Sequence, residues 1–115
     1  LHMTVKKVQS AEHGIQRSIA LGPEPAGELH KPSVDVLFTS VAQLYGKRAI
    51  GVILTGMGSD GTKGLGIIKE EGGFSIAQDE ATSAIFGMPR VAIENNVVDK
   101  VLPITSIAEE ILNRV

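Results

Sequence analysis

The residues best placed for chemistry lie together in Thr55-Gly-Met-Gly-Ser-Asp-Gly, where the carboxylate of Asp60 stands in a turn with Gly56, Gly58 and Gly61. A carboxylate just beyond a strand can take hydrogen bonds from exposed backbone amides, which lowers its pKa and keeps it ionised. It is then suited to orient a histidine or to bind a cation. Spacing alone supports a second reading equally, in which Asp60 is a helix N-cap bonding the amides from Gly61 onward. Thr55-Gly-Met-Gly also has the look of a phosphate-cradling loop, but it lacks the lysine and hydroxyl pattern of a P-loop and the spacing of a dinucleotide fingerprint. A serine hydrolase needs a nucleophile and a histidine base beside its acid. The histidines are His2, His13 and His30, and none stands in a compelling context. His13 falls in an expected hairpin turn, and His30 beside Lys31-Pro32 precedes a helix. No serine occupies a Gly-x-Ser-x-Gly elbow; Ser33 reads as a helix cap and Ser59 as a turn residue. The residues by themselves supply an acid without a nucleophile or a base.

The elements that must position this turn follow from hydropathy. The uninterrupted apolar run from Ala49 to Leu54 suits a parallel strand covered on both faces, and the glycines behind it turn the chain at the strand's carboxyl end, where ligands gather in open α/β sheets. Upstream, Met3 to Ser10 and Gly14 to Leu21 read as a hairpin around Glu12-His13-Gly14. Gly22 to Lys31 is a long loop rich in proline and glycine. Ser33 caps a helix whose apolar positions Val34, Leu37, Phe38, Val41, Ala42 and Tyr45 recur every three or four residues, and Gly46 ends it. Downstream, a helix from Thr62 to Glu71 is weakened by Gly64 and Gly66, about 1 kcal/mol each relative to alanine, so close packing must compensate. Phe74 to Ala77 is a further strand, and Gln78 to Phe86 fits no regular element. Met88-Pro89 starts a third helix ended by Asn95-Asn96. Val97 to Leu102 is a last strand, and Ser106 with Glu109 forms a capping box for a terminal helix. This alternation predicts an α/β fold, a parallel sheet flanked by helices with an N-terminal β-hairpin.

Composition bounds the rest. One core is the most that 115 residues allow. A net charge of −2 with mixed signs, three phenylalanines and one tyrosine leave neither a basic footprint nor a stacking platform for nucleic acid, and no attraction to an anionic membrane. With no cysteine there is no disulfide framework or thiolate chemistry. No apolar run approaches the ~20 residues of a membrane span. The reading is a soluble, cytoplasmic domain, with no metal cluster and no cofactor implied.

Four blocks in order, His30-Lys-Pro-Ser-Val-Asp-Val-Leu-Phe, Thr55-Gly-Met-Gly-Ser-Asp-Gly, Ala77-Gln-Asp-Glu-Ala-Thr-Ser and Phe86-Gly-Met-Pro-Arg, resemble the catalytic domain of the bacterial chemotaxis protein-glutamate methylesterase family, CheB. The resemblance extends over residues 1–115 but covers only the later, C-terminal portion of such a domain. It implies a Rossmann-like fold of that type and hydrolysis of glutamate methyl esters on chemoreceptors, with related deamidation of glutamine, by a serine, histidine and aspartate triad. Asp60 matches the triad aspartate, and Met57 matches the position whose backbone amide lies at the oxyanion site. The family's serine and histidine belong to the upstream part of the domain, so His2, His13 and His30 do not inherit the base role. The implied partners are methyl-accepting chemoreceptors, the upstream half of the domain and the family's usual receiver domain. The chain alone is then expected to be inactive and to self-associate through an unsatisfied sheet edge. The loops at Pro23 to Lys31 and Gln78 to Phe86, with Glu28 and Asp79, are candidate walls of a receptor cleft or ordinary surface loops. Two other readings are a non-catalytic binding or scaffold module that keeps the fold, and a nucleotide-binding module.

Overall fold

Three short apolar strands carry the centre of the molecule: β3 (Ile50–Ile53), β4 (Phe74–Gln78) and β5 (Lys100–Leu102). They pair in parallel in the order β3-β4-β5, with Val52 opposite Ile76 and Ile76 opposite Lys100. The structure, a computed structural model, describes residues 1–10, 14–23, 25, 27 and 32–115. Ahead of the sheet, β1 (His2–Ser10) and β2 (Gly14–Gly22) form an antiparallel hairpin with Val5 opposite Ile19. The expected turn at Glu12 and His13 lies outside the described residues, as do Glu28 and His30. Helices follow the strands as the alternation requires: α1 (Val34–Tyr45), α2 (Thr62–Glu70), α3 (Met88–Glu94) and α4 (Ile104–Leu112). None of the described helices is long and apolar enough to cross a membrane.

β4 is the central strand, and Ser75, Ile76, Ala77 and Gln78 are all buried. Ala42, Ala49, Ile53, Leu65, Ile68, Ala77 and Ala92 form one continuous core beside it. β3 departs from the expectation of a strand covered on both faces. Only Gly51 and Ile53 are buried, while Ile50 and Val52 are half-buried and Leu54 is exposed. The reason is its place at the sheet's edge among the described residues, with α2 pressed against the Gly51 face. A Cβ on Gly51 would stand 2.6 Å from Leu65 Cδ1 and 2.8 Å from Ile68 Cδ1.

Two further boundaries shift. The last strand begins at Lys100 rather than Val97; ahead of it Asp99 N–H still donates to Ser75 O at 3.0 Å, and the side chains of Ser75 and Asp99 supply the other bonds. Ser75 N–H donates to Asp99 Oδ2 at 2.9 Å, Ser75 Oγ donates to Val97 O at 2.7 Å, and Asp99 N–H donates to Ser75 Oγ at 2.8 Å. The terminal helix starts at Ile104, two residues before the expected cap at Ser106. Its Pro103 cap offers no side-chain bond, but the Thr82 hydroxyl accepts Ile104 N–H at 3.0 Å, a partner invisible to local spacing.

Burial tends to push the Asp99 carboxyl up, but the Lys69 ammonium at 2.9 Å and the Ser75 donors outweigh it and hold it below the usual range. A carboxylate with a depressed folded pKa stabilises the fold above its unfolded pKa, and that contribution is lost as pH falls through the folded value. Asp99→Ala is therefore expected to lower the unfolding free energy by about 1–2 kcal/mol at neutral pH. The gap from wild type should narrow below about pH 4, where the unfolded carboxyl protonates. Urea denaturation at both pH values checks this, and a gap that does not change with pH contradicts it.

Candidate active site

The turn from Thr55 to Gly61 leaves the carboxyl end of β3 and is pinned at both ends. On one side Thr55 N–H donates to Gln78 Oε1 at 2.8 Å, and Thr55 Oγ1 accepts Ile85 N–H at 2.8 Å. Gly56 N–H donates to Ile85 O at 3.0 Å, and Met88 N–H donates to Gly56 O at 2.8 Å. Gln78 is 2% exposed and spends its Nε2 on Thr82 O at 2.8 Å, so it ties the turn to the segment behind β4. A Cβ on Gly87 would lie 2.6 Å from Gly56 O, which is why the chain can pass there only as glycine. The irregular stretch expected from Gln78 begins at Asp79, since Gln78 is the last residue of β4, and together with Gln78 it braces the turn. Asp79 belongs to it, its Oδ1 accepting Thr82 N–H at 3.0 Å and Thr82 Oγ1 at 2.6 Å. Reversing its charge would break this turn.

The other pin is Asp60 itself. Its Oδ2 accepts Val34 N–H at 2.7 Å, and its Oδ1 accepts Asp35 N–H at 3.1 Å and Ser33 Oγ at 3.2 Å. Ser33 also caps α1 as expected, accepting Val36 N–H at 3.3 Å. The alternative reading of Asp60 as the cap of the helix after it is corrected. The cap of α2 is Gly61, at φ 102° with no side-chain bond, and the carboxylate on those amides comes from Asp35. Asp35 Oδ1 accepts Gly61 N–H at 3.0 Å and Gly64 N–H at 2.7 Å. Each aspartate therefore holds the start of the helix that the other precedes or begins. Asp35 was not legible in the sequence because its partners lie 26 and 29 residues away.

Burial pushes the Asp35 carboxyl up; the Gly64 amide opposes this, the nearby Asp60 charge adds to it, and the net position is above the usual range. By linkage this group favours the fold at low pH and loses that contribution as pH rises through its raised value. The amides of Gly61 and Gly64 at the start of α2 are thereby taken by the Asp35 carboxylate and are not open to a phosphate. No group of three histidine, cysteine or acidic side chains able to hold a metal occurs among the described residues.

Between the pins, Met57 is 79% exposed, and Gly58 (φ 98°) and Ser59 are exposed with it. Among the described residues none accepts the Met57 N–H. Of the histidines, His2 is 1% exposed, with Nδ1 accepting Ser33 N–H at 3.1 Å and Nε2 unpartnered. It supports the start of α1 from inside.

Residues 1–111 match the family model described as CheB methylesterase. The chain is 61% identical over 84 residues to a protein-glutamate methylesterase/protein-glutamine glutaminase of Moorella thermoacetica, covering 73% of this chain and 20% of that protein. Its counterpart in Photorhabdus laumondii is 44% identical over 110 residues, covering 96% of this chain and 31% of the relative. The crystal structure of the Thermotoga maritima CheB methylesterase catalytic domain superposes with a TM-score of 0.81 at 35% identity, covering 99% of this chain and 58% of that one. The chain thus spans only about a fifth to a third of the length of these two curated relatives.

Two helix glycines predict opposite outcomes. A Cβ on Gly64 would stand 2.6 Å from Phe38 Cβ and 3.0 Å from Asp35 Cα, at the crossing of α1 and α2. Gly64→Ala should cost about 1–3 kcal/mol by overpacking. Gly66 faces only Val97 Cγ1 at 3.3 Å, so Gly66→Ala should be close to neutral as helix propensity offsets a small shift. Thermal unfolding of both variants tests the contrast, and equal losses would contradict the account of the crossing.

Proposed function

Because this chain belongs to the CheB methylesterase family, we propose that residues 1–115 are the later part of a catalytic domain that hydrolyses glutamate methyl esters on chemoreceptors and deamidates glutamine there. The observation that carries this reading is the placement of Asp60. It stands at the carboxyl end of β3, with its carboxylate held by two backbone amides and a hydroxyl. Such donors favour the ionised form and fix its plane, as the acid of a triad requires.

In the proposed reaction a serine and a histidine supplied by polypeptide outside residues 1–115 complete the site. The histidine takes the serine proton, the serine oxygen attacks the ester carbonyl, and Asp60 holds the imidazole in the tautomer that can accept. The Met57 N–H, without an acceptor among the described residues, donates to the oxyanion that forms. Collapse expels methanol from an ester, or ammonia from an amide, and leaves an acyl-enzyme that water cleaves. His2 is unsuited to the base role, being buried with Nδ1 already bonded to Ser33 N–H.

One observation favours a second reading, a scaffold module that keeps the fold without catalysis. The bonds that Asp60 accepts from Ser33, Val34 and Asp35 are also of the kind a helix cap makes. Residues 1–115 alone are proposed to be inactive and to self-associate, since β3 is an edge strand among the described residues and exposes unpaired backbone groups.

The test separates these readings. In the full-length protein, Asp60→Asn should lower kcat on the order of 10³–10⁴-fold. It should also cost about 1 kcal/mol of stability, because the new amide must turn an N–H group toward existing donors. Met57→Leu should leave turnover nearly unchanged, as the donor is main chain. Absence of ester hydrolysis from the wild-type full-length protein would establish the scaffold reading, near-normal hydrolysis by Asp60→Asn would overturn the triad role, and a large loss from Met57→Leu would remove the main-chain role. Sedimentation of residues 1–115 with a methyl-ester assay checks the edge: a stable monomer contradicts self-association, and hydrolysis contradicts the assignment of nucleophile and base elsewhere.

A further inference from the structure

Asp35 is engaged on three sides. Its N–H donates to Asp60 Oδ1 at 3.1 Å, and its own Oδ1 accepts Gly61 N–H at 3.0 Å and Gly64 N–H at 2.7 Å. Its backbone is also packed against α2 so closely that a Cβ on Gly64 would come within 3.0 Å of Asp35 Cα. Gly61 presents its N–H to this carboxylate from a left-handed conformation, φ 102°, and a Cβ there would lie 2.4 Å from Ile53 Cδ1. The residue immediately after Asp60 is therefore clamped from below by Ile53 and from the side by Asp35. Bonds from amides to a carboxylate are roughly twice as strong as neutral ones.

We infer that Asp35 is a positioning residue for ester hydrolysis: it sets the place of the Asp60 carboxylate and supplies a second negative charge behind it. The inference rests on the reading of Asp60 as the triad acid. Geometry carries the first half, because Asp60 and the amides of Gly61 and Gly64 are all bonded to the start of α1. A displacement near 1 Å in a catalytic group costs on the order of 10²-fold in rate. Charge carries the second half. A negative group close to Asp60 stabilises the imidazolium that Asp60 faces and so makes the histidine a stronger base.

Among the described residues, two carboxylates and one ammonium are the charged groups around Asp35. The turn presents Asp60, α2 presents Lys63 across a groove of about 400 Å³, and β1 contributes the uncharged Thr4 to that groove. Burial and the Asp60 charge raise the Asp35 carboxyl, while the Gly64 and Gly61 amides pull it back. Sequence spacing gives no hint of the role, since Asp35 reads as an ordinary acidic residue in the first turn of α1.

Two substitutions separate position from charge in the full-length protein. Asp35→Glu keeps the charge but adds a methylene, which must push the turn away from α1. Asp35→Asn keeps the shape and an oxygen for Gly61 and Gly64 but removes the charge. Asp35→Glu is expected to lower kcat about 10²-fold with KM within about twofold of wild type. Asp35→Asn is expected to lower kcat about tenfold and to move the acid limb of kcat/KM to lower pH, because the base weakens. A structural role alone would reduce the amount of active protein without moving that limb. If Asp60→Asn is crippled while both Asp35 variants turn over normally, or while the Asp35→Asn limb stays in place, this inference is overturned and the triad reading stands. Near-normal turnover by Asp60→Asn overturns the triad reading and this inference with it. Should either Asp35 variant fail to fold, the wild-type protein still decides the clamp. The amide protons of Gly61 and Gly64 must titrate together with a carboxylate in nuclear magnetic resonance spectra, and amides that do not move with pH overturn it.

Discussion

Two aspartates that exchange backbone amides hold this molecule's site together. Asp60 bonds the start of α1, and Asp35 bonds the start of α2. The exchange works only if the two helices approach closely, and Gly64 permits that by leaving Phe38 Cβ and the Asp35 backbone room that any side chain would fill. It also needs Gly61 in the left-handed region, because the amide must point back toward α1 while the chain turns into α2. Gly61 and Gly64 are thus the glycines that let the turn be bonded to α1.

The other end of the turn is held by different chemistry. Thr55 and Gly56 are bonded to Gln78 and Ile85, and Gly87 lets the Met88 backbone close onto Gly56. Helix α4 joins the same brace through Thr82, whose hydroxyl accepts the first amide of that helix. With both ends fixed, Met57, Gly58 and Ser59 are the exposed middle of the turn. Rigid ends with a short exposed middle are what preorganised electrostatic stabilisation requires.

The family match covers residues 1–111, and the superposition on the Thermotoga maritima domain covers nearly the whole chain but 58% of that domain. β3 lies at the edge of the sheet among the described residues, and Leu54 beyond it is exposed. Asp60 makes the division concrete, since its bonds to α1 satisfy a structural need while its place at the end of the sheet suits a chemical one.

By itself the sequence determined the order and type of the elements, because hydrophobic periodicity and the helix signals at Ser33, Gly46, Met88-Pro89 and Asn95 are local effects. It also singled out the turn holding Asp60, since a strand running into glycines and one carboxylate is a local pattern. The four blocks that resemble the methylesterase family are local in the same sense. Tertiary structure alone decided which amides Asp60 bonds, that Asp35 is its counterpart, that the last strand begins at Lys100, and that α4 begins at Ile104. The physical reason is common to all four. Each depends on a hydrogen-bond partner at least 22 residues away, from Thr82 to Ile104 up to Asp35 to Gly64, and spacing along the chain carries no information about a donor that only folding brings within 3 Å.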